Sequence, residues 1–436
     1  MGWKLLAGAL AVALCAASGV PTAAQTPAQA CTAPSIWFPH DKTPEQNSAG
    51  FPSNPTNCDF HQWSWNAFLW LTQDVNGEPR FEAMSPTGIE AAPGVLDPLI
   101  GRSPKARTLD LINQAGPDGI MIDQQGRPIY YAIHSDSTFG NFITQNGLLD
   151  PAKLRAFNPN TPFPVDSLTL KAAWKVVAPG ENVSDFYTRE ATIALLTVKN
   201  GKIVLSGKTE TARVALVGFH IGGTVANHPE MIWATFEHLQ NAPDLPKPLN
   251  AMGPYDVVSD KNWLFYKAGT QFKDCDVNAA GAGSLKLDEA TQTLSPVTEV
   301  CRLIPYGGGK DSNIANIKSL NASVHAQLTG VWNNYFEVGA IWFAANDGLK
   351  PNCTFQPGSL ECRANPNTPI LTGSTQLSNT TIETFTQSQS AQDNCFACHN
   401  TVQVFPPSNP KLQPLPGLDV GISHVLINEY FGAQAK

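Results

Sequence analysis

The chain has 436 residues, with 28 basic side chains against 36 acidic ones for a formal net charge of −8. No run of lysine and arginine offers a surface for nucleic acid or an anionic membrane, so partners of those classes are excluded as the main binding target. Only 15% of residues are charged, while 34 glycines and 35 prolines fill the chain, which fits a loop-rich globular protein better than a helical bundle.

The first residues read as an export signal. Lys4 supplies a short positive region, Leu5 to Ala17 an apolar stretch too short to span a bilayer, and Thr22-Ala23-Ala24 a small-residue exit, giving a signal peptide over 1–24. Ala28-Gln29-Ala30 is a second cut site, which would move the boundary to 30. No later apolar run reaches spanning length, so the mature chain is expected in the periplasm without a transmembrane segment. Cys15 leaves with the signal. Six of the remaining cysteines, Cys31, Cys58, Cys275, Cys301, Cys353 and Cys362, then form an even set in an oxidising compartment. Proximity in sequence suggests the pairs 31–58, 275–301 and 353–362.

A Pro- and Asn-rich stretch from Cys31 leads into Phe60 to Leu71, whose apolar spacing predicts a buried helix with Asp59 as N-cap. Its aromatic density suits a core helix first and a wall against a flat cofactor second. Gly119–Asp123 and Pro128–His134 predict a hairpin turning at Gln125-Gly126, and Phe139–Asn146 a short helix. Strands are expected at Ser167–Val177, Ala191–Lys199, Lys202–Leu205 and Arg213–Phe219, with Asn200-Gly201 as a compact turn. His220 to His228 reads as a glycine-bearing loop carrying two histidines. A helix over Ile314–Leu328, a strand over Tyr335–Ala344 and a short helix over Asn379–Gln387 complete the pattern. The fold class is therefore α+β: a largely antiparallel β body over 31–375, with helices packed around a C-terminal region over 376–436.

That region holds Cys395-Phe396-Ala397-Cys398-His399, the C-x-x-C-H signature of covalent haem attachment. Two thiols three positions apart reach the two vinyl groups of one porphyrin, and the histidine that follows supplies the proximal nitrogen to iron. No second C-x-x-C exists to complete a zinc site. Only 37 residues follow His399 and none is methionine, so the β body must cover much of the porphyrin and supply any sixth ligand. Histidines 40, 61, 134, 220, 228, 238, 325 and 424 are candidates, with Met84, Met121, Met231 and Met252 behind them. His220 ranks first because it ends an expected strand and opens a loop, and His424 follows because it lies near the motif in sequence. His220, His228 and Glu230 together form an alternative non-haem metal set.

The exported C-x-x-C-H sequence resembles the broad c-type cytochrome family. The stretches Gly126–Tyr131, Leu170–Trp174, Ile232–His238 and Asn379–Phe385 also look like larger monohaem proteins of Gram-negative bacteria. The resemblance implies one covalent haem held by Cys395 and Cys398, with His399 as proximal ligand to the iron. It names no substrate. Two functions stay open: one-electron transfer to or from a periplasmic redox partner protein, and a haem-dependent oxidoreductase, peroxidase- or oxygenase-like, acting on a small-molecule substrate at an open distal site. Tyr130, Tyr131, His134 and His220 are the distal groups the second would use. G-x-G-x-x-G, P-loop, H-E-x-x-H and G-x-S-x-G motifs do not occur.

Overall fold

The computed structural model describes residues 30–84, 108–109, 111–112, 119–275, 285–344, 371–384, 387, 394–406, 408–423 and 426–435. The expected signal peptide over 1–24, the expected Cys353–Cys362 pair and His424 lie outside the described residues. Among those described, no helix is long and apolar enough to cross a membrane. The disulfides Cys31–Cys58 and Cys275–Cys301 form as expected, with Cα atoms 5.5 and 5.7 Å apart.

The chain is α+β, built on one large sheet. Its strands are β1 (Ile129–Ser135), β2 (Leu168–Val176), β3 (Thr188–Lys199), β4 (Lys202–Val225), β5 (His228–His238), β6 (Tyr335–Phe343) and β7 (Leu371–Gly373), with a two-residue strand, Thr108–Leu109, completing eight. The main path runs β7-β6-β5-β4-β2-β1, every pairing antiparallel, while β3 pairs with the first half of β4 and with Thr108–Leu109 in parallel.

One face of this sheet is covered by α1 (Asn57–Thr72) and α2 (Asp311–His325). The cap of α1 is Thr56, and Asp59 stands three positions inside it, accepting the Thr56 N–H at 2.7 Å and its hydroxyl at 2.6 Å. Asp59 is therefore the acidic half of a capping box, not the N-cap that spacing suggested. The aromatic side chains of α1 are core: Phe68 stacks on Phe236 at 4.3 Å and Phe60 on Trp342 at 4.0 Å. They pack on the face opposite the C-x-x-C-H segment.

The expected break between Lys202–Leu205 and Arg213–Phe219 is absent, and so is the loop from His220. Both belong to β4, a single strand of 24 residues. Its middle is polar because that part is exposed to solvent, which reads in sequence as an interruption. Gly222 and Gly223 look like loop residues but serve packing. A β-carbon on Gly222 would meet the Trp233 ring at 2.9 Å, and one on Gly223 the Trp63 ring at 2.6 Å, so an indole lies against bare backbone on each side of the strand. The actual turn is Ala226-Asn227, with Asn227 at φ 66° and Val225 paired to His228.

The second face is covered largely by residues after β6. Here α3 (Cys395–Cys398), α4 (Ile427–Gln434) and the segment 374–384 lie over β4, β5 and β6. The helix expected over Asn379–Gln387 is instead a tight turn in its described part. Asn379 Oδ1 accepts the Thr381 N–H at 2.8 Å, while its amide donates to Thr235 Oγ1 at 2.8 Å and to the Phe236 carbonyl at 2.9 Å. Its amide thereby ties the turn to the sheet below.

Candidate functional site

The attachment motif forms one helical turn. Asn394 caps it, its side-chain oxygen accepting the Phe396 N–H at 3.0 Å, and the His399 N–H closes on the Cys395 carbonyl at 2.8 Å. This turn puts Cys395 and Cys398 on one side, three residues apart. Phe396 is driven into the core against Phe343, ring centroids 4.7 Å apart, which fixes the turn to β6. His399 stacks on Trp233 of β5 at 3.9 Å and 22°.

Cys395 and Cys398 remain thiols, whereas the other four described cysteines are joined in disulfides. Burial pushes the Cys395 thiol well above its ordinary pKa, and the Glu383 carboxylate and Cys398 add to the shift. Cys398 is exposed.

Beside Cys395 stands an acid–base group that the sequence did not bring together. Tyr131 on β1, Lys171 on β2, His220 on β4 and Trp233 on β5 all point to this face, because Lys171 pairs with His220, His220 with Thr235, and Trp233 with Gly222. His220 Nε2 meets Glu383 Oε2 at 2.6 Å, and the second Glu383 oxygen accepts the Asn379 N–H. Lys171 Nζ lies 4.7 Å over the Tyr131 ring, and the Tyr131 hydroxyl donates to the Thr381 carbonyl at 2.6 Å. Burial lowers the Lys171 pKa to about 8, with Glu383 opposing the shift.

The 379–384 turn that carries Glu383 is anchored firmly. Thr380 gives its N–H and hydroxyl to Glu237 at 2.7 and 2.6 Å, and Arg302 Nε meets the same carboxylate at 2.9 Å. Gly218 leaves room for the turn: a β-carbon there would come within 2.2 Å of Thr381 Oγ1. Sequence reasoning missed Glu383, Lys171 and Trp233 as site residues. A glutamate separated by 163 residues from its histidine leaves no local trace.

The remaining candidates divide by face and by partner. Tyr130 and His134 alternate with Tyr131 and fall on the far side of the sheet, where Tyr130 donates to the Ala194 carbonyl at 2.8 Å and His134 meets the Phe81 ring. They do not join Tyr131 and His220. His40, His61, His238 and His325 are bonded to Leu69, Glu337, Asp185 and Tyr335 respectively. His228 is bonded to Glu230 at 2.9 Å, at the opposite end of the β4–β5 hairpin from the His220–Thr235 pair. The set of His220, His228 and Glu230 therefore does not assemble, and no group of three metal-ligating side chains occurs among the described residues. Of the four methionines, Met231 shares the apolar cluster of Trp233, Phe396 and Cys395, while Met84, Met121 and Met252 belong to other clusters.

No protein-family model matches the chain, and neither does any curated protein or solved structure.

The donor set suits a covalent haem. Two thiols share one capped turn, an imidazole follows directly, and aromatic and aliphatic side chains of the same cluster line the neighbourhood. A zinc site would need further ligands, and no group of three metal-ligating side chains occurs among the described residues.

Proposed function

We propose that this protein is an exported monohaem c-type cytochrome that transfers single electrons in the periplasm. One observation carries the reading: Cys395 and Cys398 stay as adjacent thiols on a capped turn ending in His399, in a chain whose other described cysteines are paired. An adjacent pair of thiols at C-x-x-C-H spacing supports haem attachment. The bound haem would supply a reversible one-electron couple.

This chain's residues would do the rest. Cys395 and Cys398 would hold the porphyrin, and His399 would supply its imidazole to iron, with Trp233 supporting the ring. His220 commits Nε2 to Glu383, and Met231, in the same apolar cluster as Trp233 and Cys395, joins His220 and His424 among the groups that could supply a sixth ligand.

A second reading is an oxidoreductase with an open distal side, and the Lys171–Glu383–His220 group favours it. These side chains can hold and pass a proton beside Cys395. Optical spectra of the purified protein, oxidised and reduced, with and without carbon monoxide, test both. A c-type pyridine haemochrome with an iron inert to carbon monoxide supports the carrier. The same haemochrome with rapid carbon monoxide binding supports the enzyme, and no covalent haem overturns both.

A further inference from the structure

A second site lies where the β4–β5 hairpin meets the start of α1. A cavity of about 470 Å³ opens there, with Phe60, Trp342 and Phe343 as apolar wall and Asn57, Thr372 and His228 as polar groups. That volume falls in the range of small-molecule pockets. His228 is the one ionisable side chain among the described residues that line it. Its ring is almost fully buried and gripped by two aromatic edges, Phe60 at 4.9 Å and Phe51 at 5.8 Å.

The hydrogen bonds behind His228 decide what it offers. Nδ1 meets Glu230 Oε1 at 2.9 Å, and that same oxygen takes the Phe343 N–H at 3.0 Å. Glu230 is 1% exposed and tied to the backbone of β6, so it cannot swing away. A carboxylate only accepts, so the neutral tautomer that fits this bond has its hydrogen on Nδ1 and a lone pair on Nε2. No described residue bonds Nε2. The structure thus presents a fixed hydrogen-bond acceptor in an aromatic-walled cavity.

We propose that this cavity binds a small uncharged ring compound bearing one hydroxyl, whose O–H donates to His228 Nε2. A charged ligand would lose its hydration and find no opposite charge in the lining. A purely apolar ligand would leave Nε2 unsatisfied. A phenol-like molecule meets both conditions, its ring on the apolar part of the lining and its hydroxyl on the imidazole. The inference does not depend on haem.

Calorimetric titration of the whole purified protein with phenol, anisole and benzoate tests it. Phenol should bind saturably and about tenfold more tightly than anisole, which has the ring but no donor. Benzoate should not bind. His228→Phe should bring phenol down to the level of anisole while leaving anisole unchanged. His228→Gln serves in its place if circular dichroism shows that the Phe variant is unfolded. Nitrogen NMR of the His228 ring should show a hydrogen on Nδ1 and none on Nε2. Equal affinity for phenol and anisole, no saturable heat with phenol, an unchanged variant or the opposite tautomer would each overturn the proposal.

Discussion

Trp233 lies flat against His399, ring centroids 3.9 Å apart and planes 22° from parallel. The indole is itself held: its N–H donates to the Glu230 carbonyl at 3.3 Å, and the bare backbone of Gly222 sits beneath its edge. The imidazole that would face iron therefore rests on a rigid platform from the sheet. Trp233→Phe keeps a ring under His399 and should cost about 1–2 kcal/mol of stability, whereas Trp233→Ala leaves a cavity and should cost about 3–5 kcal/mol. Urea denaturation measures the loss. Haem content per chain should fall further for Ala than for Phe, and equal haem content in the two would show that the stack does not orient His399.

The two cysteines of the motif differ in environment, and that difference is measurable. Cys395 is half-buried with a thiol held protonated by burial, while Cys398 is exposed. Thiolate is the reactive form, so in protein made without haem an alkylating reagent should label Cys398 at least about tenfold faster than Cys395. In haem-loaded protein neither should be labelled, even after denaturation, because both sulfurs are used. Peptide mass spectrometry reads both results. Labelling of both cysteines in the denatured, loaded protein would remove the attachment claim.

How much of this was legible beforehand follows from the range of each interaction. Helices and strands with local signals appear where spacing put them: Ser137–Asn146, Leu168–Val176 and Tyr335–Phe343 lie within two residues of expectation. The C-x-x-C-H turn is legible because its chemistry is confined to five neighbouring residues. The His220 loop was misread because Gly222 and Gly223 answer to Trp233 and Trp63, residues that are remote or on another element. Glu383 could not be assigned a role, since its meaning comes from His220 and Lys171 across two strands. Which face each aromatic takes also depends on strand register, and that separates Tyr131 from Tyr130 by a single residue.

His238 governs the acid side of stability. It is fully buried, stacks on Phe186 at 3.6 Å, donates from Nε2 to the Asp185 carbonyl at 3.1 Å and accepts the Gln240 N–H at Nδ1. Burial lowers its pKa from 6.5 to about 4 despite the Asp185 carbonyl. The unfolded chain thus gains a proton near pH 6.5 that the folded chain refuses until about pH 4. The stability His238 provides is complete above pH 6.5 and is lost as pH falls toward 4, by on the order of 3 kcal/mol. His238→Gln keeps a donor and an acceptor without a titration, and should flatten that slope in urea unfolding between pH 4 and 6.5. An unchanged slope would assign acid sensitivity elsewhere.

Asp419 acts with the opposite sign. It sits at the entrance to the C-terminal segment beneath β5, its N–H donating to the Pro159 carbonyl at 2.6 Å. Burial raises its carboxyl from 3.8 to about 7, and the charge of Glu230 nearby adds to the shift. Between those values the folded chain keeps a proton that the unfolded chain has released, so stability falls as pH rises from about 4 to 7. Above that window the folded state carries a buried carboxylate facing Glu230. Asp419→Asn removes the penalty. It should match the wild type near pH 4 and exceed it at pH 8 by on the order of 2–4 kcal/mol. Thermal unfolding at the two pH values distinguishes this from a simple packing effect, which would shift both by the same amount. A variant equally stable to wild type at pH 8 would mean that the carboxylate reaches water and that the C-terminal segment opens locally from β5.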